Sequence, residues 1–232
     1  MISLESAASI PNEIVRLIQP LQQELMQYRY IDSVARTRKA QTALSTITDY
    51  LEGKGIIGIH YTRAVPGDIS ANGLICCTGA QRRALFLKKY GHLFSDSELE
   101  DIKTAWEKFF KQGQNSVRDN RVYFTLTTKA LTDGGAAPLL ENFGGEVINM
   151  PLVGLPRITE KIRSIGAPLI VKCELRPSQL NGAWEYPAAV VWLSAYQTQV
   201  NPDASLYDVD VHVTSSIPPE KIISIETATN WR

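Results

Sequence analysis

One stretch in the first third of the chain constrains the fold more than any other. Residues 56, 57 and 59 are isoleucines, β-branched and apolar, and they predict a buried strand. His60, Tyr61 and Thr62 follow directly, and all three side chains carry hydrogen-bonding atoms. We expect this polar triplet at the tip of the strand. Burial of polar groups there costs free energy unless they form hydrogen bonds, so a ligand or a neighbouring group should bind them. A short helix should come next and end at Gly73, because glycine readily adopts the left-handed backbone of a helix stop.

The other patterns in the chain predict helices and strands in irregular order. Apolar residues recur at helical spacing before residue 54, over 80–112 and over 155–165. Strands are expected at 121–127, 169–175, 188–193 and 207–214, and residues 217–225 should form a turn and then a final apolar strand. Because strands and helices do not alternate regularly, the pattern favours the α+β class. We expect an N-terminal helical region (1–54) packed on a core domain (55–232) that carries a helical insertion (80–120).

Two further segments concentrate polar side chains. Between residues 207 and 214 valines alternate with Asp208, Asp210, His212 and Thr214, which therefore share one face of a strand. That face could be the wet side of an edge strand, or it could line a cleft. In the second segment Glu146 follows two glycines, which allow either a close approach of a ligand or a tight turn.

Composition and missing motifs exclude several classes of protein. The 24 basic and 24 acidic side chains balance, which argues weakly against general coating of nucleic acid. Three cysteines, two of them adjacent, do not form a disulfide framework, and no signal peptide or membrane span is evident, so we expect a cytoplasmic protein without membrane attachment. No pattern for a metal site, phosphate loop, dinucleotide-binding fingerprint or serine-nucleophile elbow occurs in the sequence.

The order of these pieces resembles the ADP-ribosyltransferase superfamily of the diphtheria-toxin and PARP type. Members of that family have a strand ending in His, often followed by Tyr, Thr or Gly, and then a Gly-Leu pair; here these are His60-Tyr61-Thr62 and Gly73-Leu74. The second motif is a strand with a Tyr before small residues, as in Tyr123-Phe124-Thr125. The third is an acid heading a late strand. Asp210 followed by residues 217–220, Ile-Pro-Pro-Glu, is similar to the ending of DarT-like toxins.

The resemblance implies a fold and a function. The fold would be a pair of small curved sheets holding NAD, and the activity would be NAD-dependent transfer of ADP-ribose by a toxin, effector or defence factor. By match, His60 would hold the adenosine ribose, and Tyr61, Thr62, Gly73 and Thr125 would belong to the NAD site. Tyr123 would stack on the nicotinamide, and Asp210 would stabilise the oxocarbenium ion. NAD would be a substrate, and no metal is implied.

Several alternatives stay open at this point. Most family members have Glu where Asp210 stands, so Glu146, Asp208 and Glu174 are rival acids, and we include Glu146 among the catalytic candidates. The acceptor of ADP-ribose would be a nucleic acid or a protein, with an antitoxin or immunity protein as a further partner. A catalytically silent relative that binds a nucleotide or a protein is the alternative function.

Overall fold

A computed structural model describes residues 1–111, 113–115, 117–229 and 231. Helices make up 53% of the chain and strands 16%, which confirms the expected α+β class. The helices are α1 Asn12–Ile18, α2 Gln22–Gln27, α3 Asp32–Ala35, α4 Arg38–Lys54, α5 Pro66–Asn72, α6 Gly79–Tyr90, α7 Asp96–Phe110, α8 Lys129–Thr132, α9 Ala137–Glu141, α10 Glu146–Asn149, α11 Pro156–Ser164 and α12 Pro187–Val200.

The strands form two sheets. They are β1 Ile56–Ala64, β2 Val122–Phe124, β3 Ala167–Leu175, β4 Val211–Val213 and β5 Ile222–Thr227. One sheet has the order β1-β3-β5, and the other consists of β2 and β4. The chain separates into two compact units. Unit 1 comprises Met1–Ile59, Tyr123–Asp133 and Lys172–Val213, and unit 2 comprises His60–Val122, Gly134–Val171 and Thr214–Arg232.

Unit 1 is built around a buried helix. Helix α12 is apolar on nearly all sides and packs against α4 and α2. Trp192 of α12 is fully buried, and its ring stacks on Tyr50 of α4 at 6.1 Å between centroids. At the end of α12, the amides of Gln197 and Asn201 donate to the carbonyl of Tyr28, at 2.7 and 2.9 Å. Helix α12 therefore holds the N-terminal helices in place.

The sequence-based expectation of a strand at 188–193 is wrong, because this segment lies inside α12. A short, continuous apolar run has no periodicity that distinguishes a buried strand from a buried helix. Pro187 at the first position of α12 is a helix-start signal, since its missing N–H would have no partner there. The helix also continues to Val200, and this segment is longer than an ordinary strand.

Unit 2 has a separate hydrophobic core formed mainly by α6, α7, α10 and α11. Its buried members include Phe86, Ile102, Trp106, Ile148 and Ile162. The indole of Trp106 donates to the carbonyl of Ile148 at 2.9 Å, which ties α7 to α10. Most of the predicted insertion 80–120 forms α6 and α7, and its residues 112 and 116 lie outside the described part.

Three predicted strands have different lengths in the structure. Strand β1 extends to Ala64, so His60, Tyr61 and Thr62 lie inside it and not at its tip. Strands β2 and β4 are shorter than expected, with three residues each. Strand β2 is shortened because the side chain of Asp208 accepts hydrogen bonds from the backbone N–H groups of Leu126 and Thr127, which would otherwise continue it.

Candidate functional site

The β2–β4 sheet of unit 1 has one buried and one accessible face. Val122, Phe124, Val211 and Val213 are all buried, while the alternate residue of each strand points the other way. On the accessible face the ring of Tyr123, 40% exposed, lies 5.3 Å from the ring of His212 between centroids, tilted by 43°. The sheet therefore presents two adjacent rings, one of them a titratable imidazole.

Both outer edges of this small sheet are paired within unit 1. Beyond β2, the backbone groups of Ile59 and Thr125 exchange two hydrogen bonds of 2.9 Å. Beyond β4, the backbone groups of Asn181 and His212 exchange two of 2.8 Å. An isolated pair of three-residue strands would be marginal in water, and these flanking bridges supply the missing pairing. They also fix the backbone under His212.

Asp210 lies directly before β4 and is exposed. By alternation it shares the accessible side with His212. The backbone of Gly182 lies close to that of Asp210, since a Cβ at Gly182 would be 3.3 Å from the carbonyl oxygen of Asp210. The sequence placed Asp210 and His212 on one face, and the burial pattern agrees with this: Val211 between them is buried, whereas Asp210 is exposed and His212 is half-buried.

Asp208, a rival acid, has a structural role in unit 1. Its Oδ1 accepts from the backbone N–H of Leu126 at 3.0 Å and of Val209 at 2.8 Å. Its Oδ2 accepts from the backbone N–H of Thr127 at 3.1 Å and from the Thr127 hydroxyl at 2.6 Å. Burial raises the pKa of this carboxyl, against the lowering effect of those four bonds. The backbone N–H groups of Leu126 and Thr127 thus donate to this carboxylate and not to a neighbouring strand, and β2 therefore ends at Phe124.

The remaining candidates of unit 1 are Thr125 and Glu174. The hydroxyl of Thr125 donates to the carbonyl of Thr127 at 2.9 Å, so it helps to shape the turn after β2. Glu174, near the end of β3, lies 3.4 Å from the guanidinium of Arg176 and is 21% exposed in its side chain. That guanidinium also donates to the carbonyl of Glu52 at the end of α4. Glu174 therefore belongs to an ion pair that joins β3 to α4.

In unit 2, strand β1 carries the residues of the first motif. Tyr61 is only 4% exposed, and His60 and Thr62 are half-buried on the alternate positions. After α5 the chain passes through Gly73 with φ of +71°, as expected for a helix stop. A Cβ there would lie 2.0 Å from the carbonyl oxygen of Ile217, so only glycine fits. Leu74 and Ile217 then exchange two backbone hydrogen bonds of 2.9 Å.

Glu146, the other acid of unit 2, begins α10. The preceding Gly144 and Gly145 both have positive φ, and a Cβ on Gly144 would lie 2.6 Å from the side chain of Ile148. The two glycines thus form the tight turn that was one of the two expectations. The carboxylate of Glu146 pairs with Arg118 at 2.9 Å and is 49% exposed.

The candidates fall into two sets. Unit 1 contains Tyr123, Thr125 and Asp210, and it adds His212, which sequence reasoning had not included among the site residues. The sequence could have indicated His212 as a site residue, because it stands two residues after Asp210 and the alternation places both on the same face of the strand. Unit 2 contains His60, Tyr61, Thr62, Gly73 and Glu146.

Comparison with protein-family models, with curated proteins and with solved structures finds no match for this chain. Within the described residues, every helix is too short or too polar to span a bilayer. The same residues include no cluster of three or more His, Cys, Asp or Glu side chains that could hold a metal ion.

Proposed function

We propose that this protein is an NAD-dependent ADP-ribosyltransferase with a split pair of curved sheets. One observation carries the proposal: the strand of the second motif and the strand of the third motif pair directly as β2 and β4. The accessible face of that sheet holds the Tyr123 ring, and the exposed Asp210 directly precedes β4. An aromatic ring that can stack on nicotinamide and a carboxylate that can stabilise the positive charge on the ribose are two groups that cleavage of a nicotinamide–ribose bond can use.

The reaction assigns a separate task to each of these groups. The phenol ring of Tyr123 stacks on the nicotinamide and orients it. The bond between the nicotinamide nitrogen and C1′ of the ribose breaks, and its electron pair leaves with nicotinamide. Positive charge develops at C1′, where the carboxylate of Asp210 stabilises it more in the transition state than in the ground state. The acceptor atom then bonds to C1′ and loses its proton to a base.

The resemblance in the first motif supports a binding role for β1. His60 holds the adenosine ribose, and Thr62 contacts the nicotinamide amide. The acceptor is a macromolecule, either a nucleic acid or a protein, and the protein acts in the cytoplasm as a toxin, effector or defence factor. An antitoxin or immunity protein that binds and inhibits it is a further partner.

A nicotinamide-release assay tests the proposal. We expect Asp210→Asn and His60→Ala each to lower the rate by at least about 100-fold, a loss of about 2.7 kcal/mol of transition-state stabilisation. Asp49→Asn on the exposed face of α4 and His92→Ala are matched controls that should keep full activity. Full activity in both Asp210→Asn and His60→Ala would refute the assignment.

NAD titration separates the enzyme from its silent alternative. If the wild-type protein binds NAD in calorimetry but releases no nicotinamide with any acceptor fraction, the catalytically silent module is correct. Glu146→Gln tests whether Glu146 is the catalytic acid instead of Asp210. A loss of turnover in Glu146→Gln but not in Asp210→Asn would assign the catalytic carboxylate to Glu146 at the start of α10. Labelled NAD with a cell lysate, followed by protease or nuclease digestion, identifies the acceptor class.

A further inference from the structure

Unit 2 has a cleft between α6 and α7 that the proposed ADP-ribosyl transfer does not use. Its volume is about 490 Å³, in the range of small-molecule sites, and it opens to solvent. Three cationic residues line it, together with one carboxylate, two aromatic rings and an amide: Arg83, Lys103, Lys111, Glu107, Trp106, Phe110 and Asn115.

Arg83 is held in place by the aromatic rings of α7. Its guanidinium carbon lies 4.0 Å from the ring centroid of Phe110 and 6.0 Å from that of Trp106. Both rings are more than 90% buried, and the indole of Trp106 is fixed by its hydrogen bond to Ile148. The guanidinium is therefore oriented on a rigid surface, as a preorganised binding group should be.

Among the described residues, no carboxylate forms an ion pair with this guanidinium. Within the described ranges no residue accepts a hydrogen bond from Arg83, and its Nη1 is buried with no partner. The nearest opposing charge is Asp119, whose Oδ1 accepts from the backbone N–H of Gly79 at 2.7 Å. Burial lowers the pKa of Arg83, and the charge of Asp119 only partly opposes this. Arg83 is partly buried, and a guanidinium in such a place is disfavoured without a hydrogen-bond acceptor, so a ligand that supplies acceptors to it would be favoured.

The other charges of the cleft also favour an anion. Glu107 is the one carboxylate of its lining, and it is paired with Lys111 at 2.6 Å. Lys103, 54% exposed, pairs with Glu100 of the same helix. Both lysines are long, exposed and free to turn toward a ligand, and exposed pairs of this kind are weak. A guanidinium fork supported by ammonium groups fits the oxygen atoms of a phosphate better than a single carboxylate.

We propose that the cleft between α6 and α7 binds the phosphate group of a small molecule, with Arg83 as its main ligand and Lys103 as a second cation. The phosphate oxygens accept from the guanidinium, and the largely buried Trp106 and Phe110 support it from below. The ligand is either free phosphate or an organic phosphate ester, and both share the group that Arg83 recognises.

Calorimetry of the whole chain without NAD tests this, so its result does not depend on NAD turnover. Inorganic phosphate and AMP are the two probes, and we expect the wild-type protein to bind at least one with a dissociation constant near or below about 1 mM. Arg83→Gln should weaken binding at least about tenfold, and Lys103→Gln about threefold, in line with lost charge-assisted bonds. Arg82→Gln is the matched control: Arg82 is the next residue on α6 and donates to the carbonyl of Ile75, and its loss should change affinity less than about twofold.

Each outcome decides the question. Tighter binding of AMP than of phosphate that is lost in Arg83→Gln assigns an organic ester, and equal or tighter binding of phosphate assigns free phosphate. Absence of binding of both probes, or equal affinity in Arg83→Gln and wild type, overturns the proposal. A melting curve of Arg83→Gln guards against misfolding, and its midpoint should stay close to that of the wild type, because removal of a partly buried charge offsets the lost contact with Phe110.

Discussion

Asp208 is the residue whose removal should most damage unit 1 without touching the proposed chemistry. Its carboxylate accepts four hydrogen bonds, from the N–H groups of Leu126, Thr127 and Val209 and from the Thr127 hydroxyl. Asp208→Ala leaves these donors without an acceptor. The cost depends on which of them can reach water.

The burial of the donors sets the size of the effect. Leu126 is 1% exposed and Thr127 is fully buried, so their two N–H groups stay unsatisfied at about 1–3 kcal/mol each. The Thr127 hydroxyl can rotate, and the half-exposed Val209 N–H can bind water. Removal of a partly buried charge returns some of the loss. We therefore expect Asp208→Ala to lower the free energy of unfolding by about 3 kcal/mol.

Urea denaturation at neutral pH, followed by tryptophan fluorescence, measures this change. Asp208→Asn keeps one oxygen acceptor and should cost about half as much. Asp210→Ala, two residues further on and exposed, is the control and should stay within about 0.5 kcal/mol of the wild type. A cost below about 1 kcal/mol for Asp208→Ala, or one equal to that of Asp210→Ala, would refute the reasoning from unsatisfied donors.

Three further predictions concern pH, a glycine and a helix cap. Because burial raises the pKa of Asp208, the proton-linked part of its contribution to stability is present below the unfolded pKa of about 3.9 and is lost as pH rises through the higher folded value, whereas its accepted hydrogen bonds remain at neutral pH. Urea titrations should show the advantage of wild type over Asp208→Asn shrinking from about pH 4 toward neutral without vanishing, and a growing advantage would contradict this. Gly73→Ala should cost at least about 3 kcal/mol in the same assay, because its Cβ would meet the Ile217 carbonyl at positive φ, whereas Gly67→Ala has open space and should be neutral or slightly stabilising. Ser95→Ala removes the N-cap of α7, whose side chain accepts from the Glu98 N–H, and should lower the melting temperature in line with a loss of about 1 kcal/mol; an unchanged melting temperature would show that the cap contributes nothing.

Local signals in the sequence were sufficient for several elements. Gly73 ends α5 with positive φ, as expected, and two other local signals stand where the helices change: Pro20 lies between α1 and α2, and the Ser95–Glu98 capping box begins α7. Each of these depends on atoms within one turn of the chain, so tertiary contacts are not needed to read them. The alternation that placed Asp210 and His212 together is equally local.

The amino-acid sequence by itself determined the class of the fold, the helix boundaries that have caps or breakers, and which side chains of β4 share a face. Tertiary structure decided that 188–193 is helical, because an apolar run takes the conformation that its neighbours can bury. It also decided the ends of β2, since the acceptor for residues 126 and 127 is a carboxylate 81 or 82 positions away. Tertiary structure likewise brought the ring of Tyr123 beside that of His212, and the guanidinium of Arg83 onto the ring of Phe110. Such contacts join residues distant in the chain, and no local pattern encodes a partner that only folding brings near.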